Sequence, residues 1–271
     1  MGRSMRVLWA TDIHLDCAGP EARKKFYNKV KGAEALIISG DIGNGVKKWF
    51  DELSSSLRNT MVYFVLGNHD YYGRGFDEMD GIVKCLCKKK RNLIWLSGLK
   101  DKYTTINDIP ILGHEGWYDC YYGRTGNVIL NDFLSVKDIR LGYLTGVEQV
   151  MIDIFREKAE KSARHFEDAL NAAFAKHDRA VLVTHVPPFV EAAWHRGRLC
   201  ESIWQPFMTS KISGDVLIDV MQKNPDKQLL VLCGHTHSCG EAQILPNLRV
   251  WTAESAYRFP DIYKDLGDLN V

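Results

Sequence analysis

The 271-residue chain lacks any apolar run of the length that a membrane span needs. Its N-terminus, MGRSMRVLWATD, lacks the apolar stretch and small-residue cleavage site of a signal peptide. It also lacks an excess of either charge. Against 35 Lys and Arg stand 34 Asp and Glu, a formal net charge of +1 with no overall pull toward nucleic acid or anionic membrane. The 7 cysteines (Cys17, Cys85, Cys87, Cys120, Cys200, Cys233 and Cys239) are odd in number and scattered. That argues against a disulfide framework and suits a reducing compartment. The close pair in IVKCLCKKKR falls two apart on a predicted helix, facing different sides, and makes a poor metal site. No repeat, low-complexity tract or linker is visible. We therefore expect a cytoplasmic protein of one domain over 1–271, with no membrane contact and no obligate protein partner.

What is present begins with an alternation. Buried strands are predicted at 6–10, 35–39 and 61–66, and helices at 20–31, 45–57 and 76–90. Continuous apolar strands between helices predict a largely parallel sheet covered on both faces. Short strands at 93–97, 102–106 and 109–113 follow. Residues 114–145 read as irregular, 147–176 as one long helix, 179–185 as a strand and 186–211 as a loop. A helix near 213–223, a strand at 228–234 and a hairpin turning near Pro246-Asn247 complete the chain.

Five apolar strands end in the same way. LWATDIH carries Asp12 and His14, LIISGD carries Asp41, FVLGNHD carries Asn68 and His69, VLVTH carries His185, and LVLCGHTH carries His235 and His237. Each residue alone has an ordinary explanation as a capped turn or a hydrogen-bonded strand end. All of them together, delivered to one edge of a parallel sheet, point to metal. Carboxylate with imidazole suits divalent Mn, Fe, Zn or Co better than Ca or Mg. Asp12 with His14, and His235 with His237, are i,i+2 pairs that an extended segment points one way. Gly40, Gly67 and Gly234 let the backbone turn close to the ions. Asp41 has no ligand neighbour of its own and is the best candidate to bridge two cations.

In this order, Asp-x-His, Gly-Asp, Gly-Asn-His-Asp, a lone strand-end His and Gly-His-Thr-His resemble the calcineurin-like metallophosphoesterase superfamily over residues 12–237. The resemblance implies an α/β fold, a four-layer α/β/β/α sandwich of two mixed β-sheets flanked by helices. It implies one divalent ion on Asp12, His14, Asp41 and His237, and a second on Asp41, Asn68, His185 and His235, with Asp41 bridging. It implies hydrolysis of phosphate esters by in-line attack of a metal-bridging hydroxide. It makes His69 the residue that contacts the phosphate and protonates the leaving oxygen.

Departures from the family pattern narrow the substrate. The stretch GDIGNG stands where protein Ser/Thr phosphatases have Gly-Asp-x-x-Asp-Arg-Gly, and Asp70 stands where they have Glu. Asn44 takes the place of the Asp that orients the catalytic His; it can accept a bond from His69 but brings no charge. A phosphoprotein substrate is not expected. His69 also separates the chain from relatives with Arg or Cys at that position. We expect a small phosphorylated substrate, monoester or diester, nucleotides included. Insertions near 114–145 and 186–211 mix aromatic residues with arginines, so Trp117, Arg124, Arg196 and Arg198 are candidates for substrate contact. Most of the loop aromatics are expected simply to pack the loops down. Asn44 and Asp70 are candidates for outer contacts of the centre, and Asp70 is equally suited to cap a turn. Two rivals remain. One is a nuclease on DNA or RNA, which the balanced charge disfavours. The other is a non-catalytic scaffold, which the full ligand set disfavours.

Overall fold

VLWA, ALIIS and MVYFV are rich in residues that suit a pleated surface, and both faces of each run are apolar, so they are stable only as strands covered on both sides. In a computed structural model, which describes residues 6–123, 128–267 and 269, they form β1 (Val7–Ala10), β2 (Ala35–Ser39) and β3 (Met61–Val65). The further strands are β4 (Leu93–Trp95), β5 (Thr104–Ile106), β6 (Ile109–Gly113), β7 (Arg179–Val183), β8 (Trp194–His195), β9 (Arg198–Leu199), β10 (Gln228–Cys233), β11 (Gly240–Leu245), β12 (Leu248–Thr252) and β13 (Lys264–Gly267). The helices are α1 (Pro20–Val30), α2 (Val46–Ser56), α3 (Phe76–Lys89), α4 (Asn131–Ser135), α5 (Lys137–Leu144), α6 (Glu148–Phe174), α7 (Gln205–Met208) and α8 (Lys211–Lys223).

One sheet runs β13-β1-β2-β3-β4 and the other β11-β12-β10-β7-β6-β5. Both are mixed. β1 to β4 are parallel with β13 antiparallel at the edge, and β12, β10, β7 and β6 are parallel between antiparallel β11 and β5. The period of two decides which layer each side chain joins. Val7, Trp9, Ile37 and Val65 pack between the sheets against Val181, Val183, Leu230 and Leu232. Their neighbours Leu8, Ala10, Leu36, Ile38 and Phe64 face the opposite way, against Phe26, Phe50 and Leu53 of α1 and α2. On the other side Leu182, Val231 and Cys233 meet Phe166, Leu170 and Leu217 of α6 and α8. The result is the expected α/β/β/α sandwich.

Two features differ from the expectation. The segment 114–145 is not irregular throughout, because it holds α4 and α5. Phe133 of α4 and Ile139 of α5 are buried together with Val136, which is extended backbone between the two helices, and elements this short show little helical period in sequence. β13, with the sequence KDLG, is an edge strand that pairs with β1 mainly through its backbone, so it carries no apolar run to announce it.

The sheets are also tied by a buried carboxylate. Glu115, just after β6, accepts the backbone N–H of Leu66 (3.3 Å), Trp95 Nε1–H (2.9 Å) and Ser97 Oγ–H (2.7 Å), all from the other sheet's side. Glu115→Ala strands these donors in the interior and lowers stability by about 3 kcal/mol, read as a fall in the denaturant midpoint at unchanged slope.

Candidate metal centre and active site

The parallel strands bring the ends of β1, β2, β3, β7 and β10 to one edge, and the backbone kinks as it leaves them. Asp12 (φ 46°), His14 (36°), Asp41 (52°), His235 (70°) and His237 (55°) are all left-handed. That conformation is uncommon outside glycine and costs on the order of 1 kcal/mol per residue. The i,i+2 pairs therefore do not lie on extended backbone as the spacing suggested; kinks aim them, and His235 and His237 diverge into different groups. The loops remain laddered, since Asp12 N–H donates to Gly40 O and His14 N–H to Asp41 O, each at 3.0 Å. Asp70 turns out to close the turn. Its carboxylate accepts the N–H groups of Gly67 and Gly43, both at 2.8 Å, and so ties the β3 end to the β2 loop. Gly67 allows close approach rather than unusual φ: a Cβ there would collide with the Asp41 carboxylate.

Ligand atoms of Asp12, His14, Asp41 and His237 lie within 4.8 Å of one another. Asp12 Oδ2 accepts Thr11 Oγ1–H (2.6 Å) and His235 N–H (3.0 Å), while its Oδ1 lies 3.2 Å from His237 Nε2. His14 Nε2 and His237 Nε2 face each other at 3.3 Å. In a second group, His185 Nε2 and His235 Nδ1 lie 2.9 and 3.1 Å from Asn68 Oδ1 and 3.2 Å from each other. Outer bonds settle the tautomers. His185 Nδ1–H donates to Ser39 O and His235 Nε2–H to Phe207 O, each at 2.9 Å, so both inward nitrogens carry lone pairs. Burial keeps three of the rings neutral: it pushes His14 and His185 down to about 3 and lowers His235 as well, whereas at His237 the Asp12 carboxylate outweighs burial and raises the pKa.

Asp41 joins the two groups. Its Oδ1 accepts His69 N–H (2.9 Å), and its Oδ2 lies 3.7 Å from His14 Nε2 and 3.6 Å from His185 Nε2. Burial, and then the carboxylates of Asp12 and Asp70, push Asp41 well above the usual carboxylate range. Converging lone pairs and an uncompensated buried carboxylate repel one another unless a cation sits among them. Ligand atoms roughly 3 Å apart are also what bonds of about 2.1 Å to one ion produce. The residues present fit a pair of divalent cations.

Beside this floor opens a cleft of about 530 Å³, walled by His195, Arg196, Arg198, Trp204 and Tyr257. His69 lines it but joins neither ligand group; its Nε2 is 4.0 Å from Asp41 Oδ2 and its ring stacks on Tyr72 at 4.5 Å. Burial lowers its pKa, with Asp132 and Asp12 opposing. Arg196 and Arg198 lie in the β8–β9 ribbon at the lip of the cleft. Two other candidates need correction. Asn44 is exposed in a separate recess with Lys48 and Arg74, and no hydrogen bond to His69 is found among the described residues; its carbonyl instead accepts Trp49 Nε1–H (2.5 Å). Trp117 is buried in the core against Tyr71 and Phe76, so its ring meets no substrate. Arg124 lies outside the described residues.

Sequence reasoning missed Asp132 and Tyr257. Asp132 is buried and accepts Asn68 Nδ2–H, Tyr72 Oη–H and Tyr118 Oη–H at 2.8, 2.6 and 2.8 Å. Tyr257 stacks on His14 at 4.4 Å and lies 4.8 Å from His237. Neither sits in a motif. Asp132 opens a short helix, where an Asp is ordinary.

Among the described residues no helix is long and apolar enough to cross a membrane. Of solved structures, the phosphopantetheinyl hydrolase of Mycobacterium tuberculosis is similar with a TM-score of 0.64 at 15% identity, covering 97% of this chain and 96% of that one. A dimetal phosphatase from Danio rerio is similar with a TM-score of 0.56 at 12% identity, covering 95% and 89%. At these identities both show a shared fold. No curated protein sequence matches the chain. The family model for calcineurin-like phosphoesterases matches residues 5–239, which takes in every candidate ligand position above. The chain therefore belongs to the calcineurin-like phosphoesterase family and is a metal-dependent hydrolase of phosphate esters.

Proposed function

We propose that the protein hydrolyses a small phosphorylated molecule, monoester or diester, bound in the cleft between the β8–β9 ribbon and the metal centre. The observation that carries this is the position of Asp41 Oδ2 between two ligand groups, on a floor that His69 overlooks from the cleft. Asp12, His14, Asp41 and His237 would hold one cation, and Asp41, Asn68, His185 and His235 the other. Such a pair, when bound, supplies Lewis acidity toward phosphoryl oxygens and lowers the pKa of water. His69 Nε2 then holds a proton on the cleft side for the leaving oxygen, with the ring fixed by Tyr72. Tyr257 covers the outer face of His14 and narrows access to it.

Arg196 N–H donates to Ser238 Oγ at 3.1 Å, which pins the ribbon tip beside the His235–His237 loop. Arg198 pairs with Glu201 at 2.7 Å. The guanidinium of Arg196 suits a second anionic group of the substrate, and Trp204 suits a ring. Arg196→Ala should raise KM about tenfold for a substrate with two phosphoryl groups, leave kcat nearly unchanged, and leave an aryl monophosphate unaffected. Equal effects on both substrates would remove Arg196 from this role.

A panel of aryl monoester, aryl diester, nucleotides and cyclic nucleotides, run with Mn, Fe, Zn and Co, tests the function. A phosphopantetheine diester belongs in it because the Mycobacterium neighbour is named for that group. Turnover of none of these, with cleavage of DNA or RNA on a gel, would favour the nuclease. The odd, scattered cysteines support a cytoplasmic location, and the lack of a visible linker supports a single domain.

A further inference from the structure

We propose that Asp132, from the insertion rather than from any ligand-bearing strand, is the positioning residue that keeps the second cation site open. This rests on Asn68 being a ligand. The amide of Asn68 has two ends and the site needs only one of them. Its Oδ1 faces the lone pairs of His185 Nε2 and His235 Nδ1, at 2.9 and 3.1 Å. Three acceptors facing each other repel when no cation lies between them. Turning the amide over would relieve this, because the NH₂ group would then donate to both imidazoles and fill the site with its own hydrogens. Asp132 opposes that turn. Its Oδ1 takes the Nδ2–H of Asn68 at 2.8 Å, and an ionised carboxylate can only accept, so a flipped amide would set oxygen against oxygen in a buried place.

The carboxylate is itself held. Tyr118 Oη–H donates to its Oδ2 at 2.8 Å and Tyr72 Oη–H to its Oδ1 at 2.6 Å. The same two rings reach the rest of the centre, since Tyr118 stacks over His235 with ring centres 6.1 Å apart and Tyr72 over His69 at 4.5 Å. The insertion at 114–145 thus does more than wall the cleft. It reaches under the floor and sets the orientation of one ligand.

Calorimetric titration of the metal-free protein with Mn(II) tests the inference without reference to turnover. Wild type takes two ions. In Asp132→Ala and in the near-isosteric Asp132→Leu, neither of which leaves an acceptor for Asn68, one of the two sites weakens about 10- to 100-fold while the other keeps its affinity. Asp132→Asn, whose side-chain oxygen can still take the Nδ2–H of Asn68, should bind both ions nearly as wild type does. Circular dichroism checks that each variant is folded. Wild-type affinity at both sites in folded Asp132→Leu or Asp132→Ala overturns the inference, and so does equal weakening of both sites, which marks a general structural role. Fewer than two ions on wild type overturns the metal-centre proposal itself, and this inference with it.

Discussion

Asp41→Asn lowers kcat for phosphate ester hydrolysis on the order of 10⁴-fold, and the variant no longer retains two cations. The size follows from Asp41 standing in both ligand groups at once, so a single change withdraws charge from both. An amide is a poor substitute here for a geometric reason. Its oxygen must stay where Oδ1 accepts His69 N–H, which forces the NH₂ into the position of Oδ2, between His14 and His185. Donors then occupy the place where the cations belong. The metal-free proteins should behave in the opposite sense. Burial with Asp12 and Asp70 raises the pKa of Asp41, so its ionised form destabilises the metal-free fold, increasingly as pH rises above the unfolded carboxylate range. At neutral pH metal-free Asp41→Asn should melt above metal-free wild type, and Mn(II) should reverse the order by stabilising wild type alone. A variant that turns over normally, or binds two Mn(II), would refute the bridging role.

His69→Ala is the second large effect: a 10²- to 10⁴-fold loss of kcat with both cations retained. Metal content separates this from a ligand loss, because His69 lies outside both groups while its neighbour Asn68 lies inside one. The loss should be greatest for an alkyl phosphate, whose leaving oxygen needs a proton, and least for a nitrophenyl phosphate, whose leaving oxygen does not. Unchanged turnover, or an equal loss for both leaving groups, takes His69 out of the role of proton donor.

Much of the centre is legible in the sequence because its signals are local. An apolar run ending in Gly-Asp or Gly-Asn-His-Asp announces both a strand and what the strand carries, and parallel pairing brings such ends to one edge. What is not legible is whatever depends on two distant segments meeting. Asp132 is 64 residues from Asn68, and at the start of α4 nothing distinguishes it from any acidic residue at a helix N-terminus. Asn44 illustrates the reverse error. Motif position placed it beside His69, but the loop directs it outward into another recess. Trp117 looked like a stacking surface because aromatic residues in a loop can serve either purpose; burial decides, and it is 3% exposed. The i,i+2 spacing pointed to the right residues for the wrong reason, since alternation holds for extended backbone and these residues are left-handed.

Those left-handed ligands bear on the order of events in folding. Asp12 and His14 are held by backbone bonds to Gly40 and Asp41 that require β1 and β2 to be side by side, and His235 by the bond of its N–H to the Asp12 carboxylate, which requires the two sheets to have docked. A chain still searching for its fold has none of these restraints and no reason to hold five residues in an unfavoured conformation, so it offers a cation no partial cage to nucleate on. Metal is then a late arrival that locks a finished scaffold. It should slow unfolding strongly while leaving the refolding rate nearly as it is without metal.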